Sequence, residues 1–306
     1  MDIKSWIVNR LRRSRLNRMR RGIKVWYNQQ AIIKSSKHSQ YIFLNPIPPS
    51  SVAGGHVEHY YHFIFDLLLP LSLLIRKTSS KIIFVLEDFG VLTQLLLGLF
   101  ENRVKICSAI SPSIKKKEID LVGMNPKIIP LQYFRFKSLK EEICANLNIG
   151  CAEKPTKILL IERLYPNSYY FSRAKNKGSG TSRRSIKNHK ELQKFIDSKV
   201  KSPFEFHNVQ LENMSLKDQI NHFSSACVVI AQHGAGLSNI LWMPEQSIVI
   251  ELGYKSDINT YFRCLSKVMK HHYILFDYDE PHIQVNYLEL HKKLLRNEAV
   301  KTYFKS

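Results

Sequence analysis

The stretch that most constrains the fold is Ala226 to Leu252, ACVVIAQHGAGLSNILWMPEQSIVIEL. Ala226 to Ala231 is a short apolar, β-branched run without alternation, as expected of a strand buried on both faces. Gln232-His233-Gly234-Ala235-Gly236 then supplies small residues where the backbone turns tightly and leaves room for another group. Leu237 to Met243 has helical character, Pro244 ends it, and Ser247 to Leu252 is a second buried strand. A glycine turn that opens a helix directly after a strand gathers backbone N–H groups and the positive helix end in one place, which suits a phosphate. The spacing is neither that of the dinucleotide fingerprint nor that of a P-loop, and many strand-to-helix turns carry glycine without any ligand. On these residues alone both readings stay open.

The rest of the chain repeats the alternation. Strands are expected at 32–36, 41–44, 81–86, 104–107 and 119–124, with helices at 91–100 and 131–147. After a linker at 150–155 come a strand at 157–162, a basic, glycine- and serine-containing loop at 165–185, and a helix at 190–200. Asn188 and Glu191 have the spacing of a capping box for that helix. A strand at 204–209, helices at 215–224 and 259–269, a strand at 272–277 and a terminal helix at 285–297 complete the pattern. Strands alternating with helices indicate an α/β fold, a parallel sheet covered on both sides. The expected organisation is a basic arm (1–30), a first domain (31–150), a second domain (151–285) and a C-terminal helix (286–306).

The net charge of +21 favours anionic partners: nucleic acid, an anionic membrane, or phosphorylated and acidic substrates. Residues 1–24 carry nine of the basic side chains against the single acid Asp2, an imperfectly amphipathic helix suited to an anionic bilayer or a solvated charged tail. Aromatic interleaving there is thin for an RNA-binding arm. The five cysteines are scattered and never spaced C-x-x-C, with Cys107 and Cys227 inside apolar runs where buried thiols are expected, so a reducing compartment fits. No apolar signal core follows the basic N-terminus, and no uncharged run approaches the ~20 residues of a membrane span. No G-x-S-x-G elbow or H-E-x-x-H helix is present, so hydrolase readings lack a nucleophile or a metal site. Asp277-Tyr278-Asp279 spells D-x-D, but close to the terminus and after the last strand it reads as a turn.

Three segments together carry a resemblance. H-G-A-G-L-x-N followed by P and V-I-E-L (His233 to Leu252) resembles the C-terminal core motif of glycosyltransferase family 61. Gly54 to Leu71, GGHVEHYYHFIFDLLLPL, resembles the family's G…N-Y-Y-H-W-x-x-D-x-L-P, with His59 in place of asparagine and Phe63 in place of tryptophan. Arg163 and Ser182 to Leu192 resemble strand-R and S-R-R-x-I-x-N-E-x-E-L, with His189 in place of glutamate.

The resemblance implies a GT-B-like fold, two Rossmann-like domains facing across a cleft. It also implies inverting transfer of a sugar from a nucleotide-sugar, read as a UDP-sugar, to a hydroxyl of a glycan or lipid-linked glycan. Eukaryotic members carry a signal anchor, so this chain is expected to be a bacterial-type enzyme of surface polysaccharide or capsule synthesis. Its expected location is the cytoplasm, peripheral on the inner face of the membrane through residues 1–24. Asp66 is the implied catalytic base and His62, four residues away on one helical face, its orienting partner or an acceptor ligand. Arg163, Arg184, Asn188, His233, Gly234, Ala235, Gly236, Leu237, Asn239 and Glu251 are the implied donor-binding set, Glu251 toward ribose or base hydroxyls. The basic pair and the loop amides replace a metal, so no cofactor and no nucleic acid is expected. Alternatives are a non-catalytic basic protein binding nucleic acid or an anionic polymer, and a degenerate transferase kept as a scaffold, for which His59 and His189 speak.

Overall fold

The computed structural model describes residues 41–47, 60–88, 91–100, 102–114, 118–122, 133–150, 154–165, 180–254 and 261–305. The basic arm, the strand expected at 32–36 and His59 lie outside the described residues. The chain divides into two compact units, residues 1–125 and 126–306. The boundary expected near residue 150 therefore stands C-terminal to this division, and the helix Tyr133–Asn146 groups with the second unit. That helix is fixed there by Lys140, whose Nζ donates to the Met243 carbonyl at 2.6 Å.

The first unit holds a four-stranded parallel sheet in the order β3-β2-β1-β4, from Tyr41–Ile47 (β1), Ile83–Leu86 (β2), Val104–Ile106 (β3) and Glu118–Val122 (β4). Chain order reverses between β1 and β4, as in a doubly wound sheet. β1 runs three residues further than the proline content predicts. Pro46 lies where β1 pairs with β4 and has already passed its register with β2, so its missing N–H interrupts only one ladder.

The second unit's main sheet is entirely parallel, in the order β10-β9-β8-β5-β7. Its strands are Lys157–Ile161 (β5), Glu205–Val209 (β7), Ala226–Gln232 (β8), Ile248–Tyr254 (β9) and His272–Tyr278 (β10). Ser185–Ile186 (β6) and His282–Ile283 (β11) pair in a separate ribbon. All seven residues of β8 are buried, the two-sided burial that its unbroken apolar run requires. One sheet face, with Ile158, Leu160, Val228, Ile230 and Ile250, packs on Leu192, Ile196, Leu290 and Leu294 of the helices His189–Lys199 and Tyr287–Leu295.

Several elements differ from expectation for local reasons. Leu237 to Met243 belongs to a 3₁₀ helix, Ala235–Trp242, and not to an α-helix. In an α-helix the Ile240 carbonyl would accept from residue 244, which is proline and has no N–H. It accepts instead from Met243 N at 3.2 Å and from His271 Nε2 at 2.9 Å. Burial, against the pull of that carbonyl, lowers the His271 proton affinity to about 4, so the ring is a neutral donor.

Asn188 makes no capping bond; its carboxamide donates to the Val285 carbonyl at 2.8 Å and accepts from Val285 N at 2.9 Å. Asp277 lies in edge strand β10, and only Asp279 falls in the following bend. Cys227 is buried with its thiol pushed up to about 12 by burial, whereas Cys107 is only half-buried in a short 3₁₀ turn.

Candidate active site

In the second unit β5 is the first strand of the sheet, β7 lies to one side of it, and β8, β9 and β10 follow on the other. The crevice where this order switches, beyond the carboxyl ends of β5 and β8, is where doubly wound sheets bind ligands. Arg163 follows β5 and the His233–Gly236 loop follows β8, so both sit at the switch. They are bonded to each other: Arg163 Nη1 donates to the His233 carbonyl at 3.0 Å. Gly234 is what lets the guanidinium in, since a Cβ there would lie 2.9 Å from Nη1 and 3.1 Å from Cζ. Gly236 answers to packing, because its Cβ would lie 2.9 Å from Leu211 Cδ1.

The electrostatics of this pair follow from its surroundings. Burial, then the neighbouring charge of Arg184, lowers the Arg163 proton affinity to about 10, with Glu212 acting in the opposite sense. Arg163 thus stays charged at neutral pH but carries an electrostatic strain that an anion would relieve. Arg184 is buried, and the ribbon carries it into place. Gln232, the last residue of β8, donates to the carbonyls of Pro281 at 2.8 Å and Ser185 at 3.3 Å, tying the segment after Arg184 to the end of the strand.

His233 is held from below. Its Nδ1 bonds Glu251 Oε1, and Tyr273 OH donates to Glu251 Oε2 at 2.5 Å. Phe262 packs edge-on against the imidazole, ring centroids 5.3 Å apart. Both Glu251 oxygens therefore carry a bond within the protein, which places this carboxylate under the imidazole as a group that orients it. The tyrosine hydroxyl keeps its proton, its affinity raised by burial and by the Glu251 charge. With Nδ1 committed, the remaining ring nitrogen, Nε2, is the atom His233 has for a ligand.

The other motif positions divide sharply. Leu237 is buried and its N–H donates to the Gly234 carbonyl at 3.0 Å, which removes that amide from the phosphate-binding set. Asn239, 0 % exposed, donates to Gln219 Oε1 at 3.0 Å and to the Gly236 carbonyl at 3.2 Å, joining the 3₁₀ helix to the helix Leu216–Ser224. Asn188 clamps Val285. His189 bonds Asn208 at 2.8 Å, and Asn208 in turn donates to Glu162 at 2.7 Å, beside Arg163. The departure at His189 is thus absorbed into a network that supports the strand end. Arg163, Arg184, His233 and the backbone of Gly234, Ala235 and Gly236 remain as the groups placed for a ligand.

In the first unit, Tyr60–His62, a π turn over Phe63–Leu68 and Leu69–Lys77 form one continuous helix whose π turn packs against β1 and β4. Asp66 lies in that π turn, 1 % exposed, and its Oδ2 bonds His62 Nδ1 at 2.6 Å, the histidine side chain 18 % exposed. π turns recur at functional sites. Burial raises the Asp66 proton affinity, with the His62 hydrogen bond and charge opposing. The spacing of the pair was legible in sequence; the π turn and the inversion of burial, aspartate inside and histidine outside, were not.

Tyr273, Gln232, Lys140 and Gln219 are the residues that sequence reasoning missed. Tyr273 had one signal: with period two along β10 it shares a face with Leu275, which registers with Glu251, but that register is visible only once strand order is known. Among the described residues no cluster of three His, Cys, Asp or Glu side chains is arranged to hold a metal ion. Among them, too, no helix is long and apolar enough to cross a membrane.

A family model, Glycosyltransferase 61, matches residues 60–250, which is more than half of the chain and contains both the His62–Asp66 pair and the Arg163–His233 loops. No curated protein sequence matches the chain.

Proposed function

The chain belongs to glycosyltransferase family 61 and is a glycosyltransferase; we propose that it inverts the anomeric centre of a nucleotide-sugar, read as a UDP-sugar, in passing the sugar to a hydroxyl of a glycan acceptor. The observation that carries this reading is the Arg163–His233 bond at the switch point of the second sheet, beside buried Arg184. Two guanidinium groups, an imidazole whose Nδ1 is engaged and a glycine-lined backbone match the charge and shape of a diphosphate. In the proposed step the acceptor oxygen bonds to the anomeric carbon from the face opposite the nucleotide. The bond from that carbon to the diphosphate oxygen breaks, and its electron pair leaves with the nucleotide. Arg163, Arg184 and His233 stabilise the charge that grows there.

The acceptor proton is assigned to the His62–Asp66 pair. Burial favours an order opposite to the sequence expectation. Asp66 orients the ring through Nδ1, and the more exposed His62 takes the proton on Nε2. A role in surface polysaccharide synthesis at the inner face of the membrane, with residues 1–24 on anionic lipid, belongs to the same proposal and draws on the composition of that arm.

The test is a screen of nucleotide-sugars for protection against thermal unfolding, followed by kinetics of Arg184→Ala and His62→Gln with the donor that binds. Arg184→Ala should weaken nucleotide binding by about ten- to a hundredfold. His62→Gln should lower turnover by ~10²–10⁴-fold at unchanged nucleotide affinity. Salt-sensitive nucleic-acid binding without any nucleotide-sugar protection would refute the transferase reading of this chain.

A further inference from the structure

The second unit carries a basic groove that, among its lining residues, meets the candidate active site through Tyr273 alone, whose hydroxyl bonds Glu251 Oε2. It opens at the amino ends of β9 and β10, has a volume of about 650 Å³, and is lined in part by Gln246, Arg263, Lys267, Lys270, His272 and Tyr273. Because the sheet is parallel, this is the edge opposite the loops of Arg163 and His233, which follow the carboxyl ends of their strands. The seven residues of β10 separate the two edges by about 20 Å. No carboxylate is among the lining residues. Glu245, next to Gln246 in the chain, is already shared by Lys270 at 3.0 Å and Lys137 at 3.6 Å.

Two features set this groove apart from ordinary solvated lysines. The first is the helix Tyr261–Val268, where Arg263 and Lys267 stand four residues apart on one face and Lys270 three further on, with no acidic residue in the helix. Cations near the C-terminal end are favoured by the helix dipole, which accounts for Lys267 and Lys270. Arg263 is in the first turn, where a positive charge opposes the dipole, so that explanation fails for it.

The second feature is the backbone. Gln246 and Lys270 have φ of 65° and 59°, and the only other non-glycine residue at positive φ among those described is Asn148. Lys270 is the left-handed residue that closes the helix, His271 N donating to the Ser266 carbonyl at 2.8 Å and Lys270 N to the Lys267 carbonyl at 3.3 Å, and glycine would hold either place at less cost. The two are bonded, Gln246 N to the Lys270 carbonyl at 3.0 Å, so the left-handed turns form one structure. Holding these two positions with glutamine and lysine in place of glycine keeps two long polar side chains on the wall of the groove.

We propose that this groove binds a phosphate ester anion, at a site separate from the nucleotide-sugar. The chemistry fits a phosphomonoester or phosphodiester, free or as the headgroup of an anionic lipid. The probes are glycerol 1-phosphate, titrated calorimetrically into the full chain, and flotation with phosphatidylcholine vesicles that contain or lack phosphatidylglycerol. The variants are Arg263→Gln/Lys267→Gln/Lys270→Gln, and Lys267→Arg/Lys270→Arg as its charge-preserving control. All three side chains are exposed, so the changes spare the core, and residues 1–24 remain in every protein compared.

The triple variant should bind at least one probe about tenfold or more weakly, and the arginine control should bind as wild type does. Weakening with both probes assigns the site to the phosphate ester itself. Weakening with vesicles alone assigns it to the lipid headgroup. Arg184→Ala, altered at the nucleotide site, should leave both probes bound. Wild-type affinity of the triple variant for both probes, or equal losses in the arginine control, would overturn the proposal while leaving the transferase reading intact.

Discussion

Gly234→Ala isolates the close approach on which the nucleotide site depends. The added Cβ would lie 2.9 Å from Arg163 Nη1, 3.1 Å from Cζ and 3.2 Å from Nη2, so the guanidinium has to move. The group that gives way is the far end of a flexible side chain, and the alanine backbone meets no difficulty, since Gly234 is extended with φ 165° and ψ 176°. The substitution itself favours folding by ~0.4–1 kcal/mol through the unfolded chain. Against this stands the lost bond from Nη1 to the His233 carbonyl, a charged hydrogen bond of ~1.5–3 kcal/mol at a group that regains solvent when it swings out. Net stability should stay within ~1–2 kcal/mol of wild type. A displaced Arg163 no longer meets the diphosphate, so nucleotide affinity should fall by about ten- to a hundredfold. The assay is calorimetric titration of UDP beside urea unfolding for Gly234→Ala, Arg163→Ala and the double variant. Because both changes act through one guanidinium, the double variant should bind no more weakly than Arg163→Ala. Full affinity in Gly234→Ala, or losses that add, would refute the reasoning.

Asp66→Asn should lower turnover by ~10²–10⁴-fold and yet raise the melting temperature at neutral pH. Burial raises the folded-state proton affinity of Asp66 above its unfolded value of 3.8, so the ionised form penalises the folded state at higher pH and the penalty disappears as pH falls below that value. A variant that melts lower than wild type at neutral pH would show that the His62 bond outweighs burial. Tyr273→Phe leaves Glu251 Oε2 buried without that donor and should cost ~1–3 kcal/mol in urea unfolding, with weakened nucleotide binding; an unchanged midpoint would exclude the contact. Transfer should survive EDTA, because cationic side chains and loop amides are proposed to hold the diphosphate, and loss restored by Mn²⁺ would remove that assignment.

The fold was legible to the extent that hydrophobic pattern dictates it. β8 and β9 read as buried strands because every residue of β8 is apolar or small up to Gln232, and the parallel sheet follows from the alternation with helices. Sequence order could not give strand order, and strand order is what puts Arg163 and His233 together and Tyr273 under Glu251. The 3₁₀ helix was hidden for a related reason: Pro244 reads as a stop signal, but its effect here is to deny the Ile240 carbonyl its α-helical partner, and the substitute comes from His271, 31 residues away. The same holds for Asn188. Its spacing to Glu191 satisfies a local rule, yet a partner 97 residues on, Val285, takes both ends of its carboxamide.

Those misplacements share a cause that also separates the motif residues by what holds them. A motif records residue types, and two kinds of constraint can fix a type at one position. Where a side chain is buried and its hydrogen-bonding atoms are engaged inside the protein, as in Asn239 and Glu251, the constraint is geometric: it holds the loop and the imidazole in place. Where a charged group is brought to a strand end and its burial costs energy that no neighbouring carboxylate fully offsets, as in Arg163 beside Arg184, stability alone does not account for keeping it. The electrostatic cost at Arg163 therefore supports the proposed diphosphate site more directly than the glycine motif does. His233 joins the two kinds, its Nδ1 engaged below and its carbonyl receiving Arg163, so that orienting the ring also positions the cation.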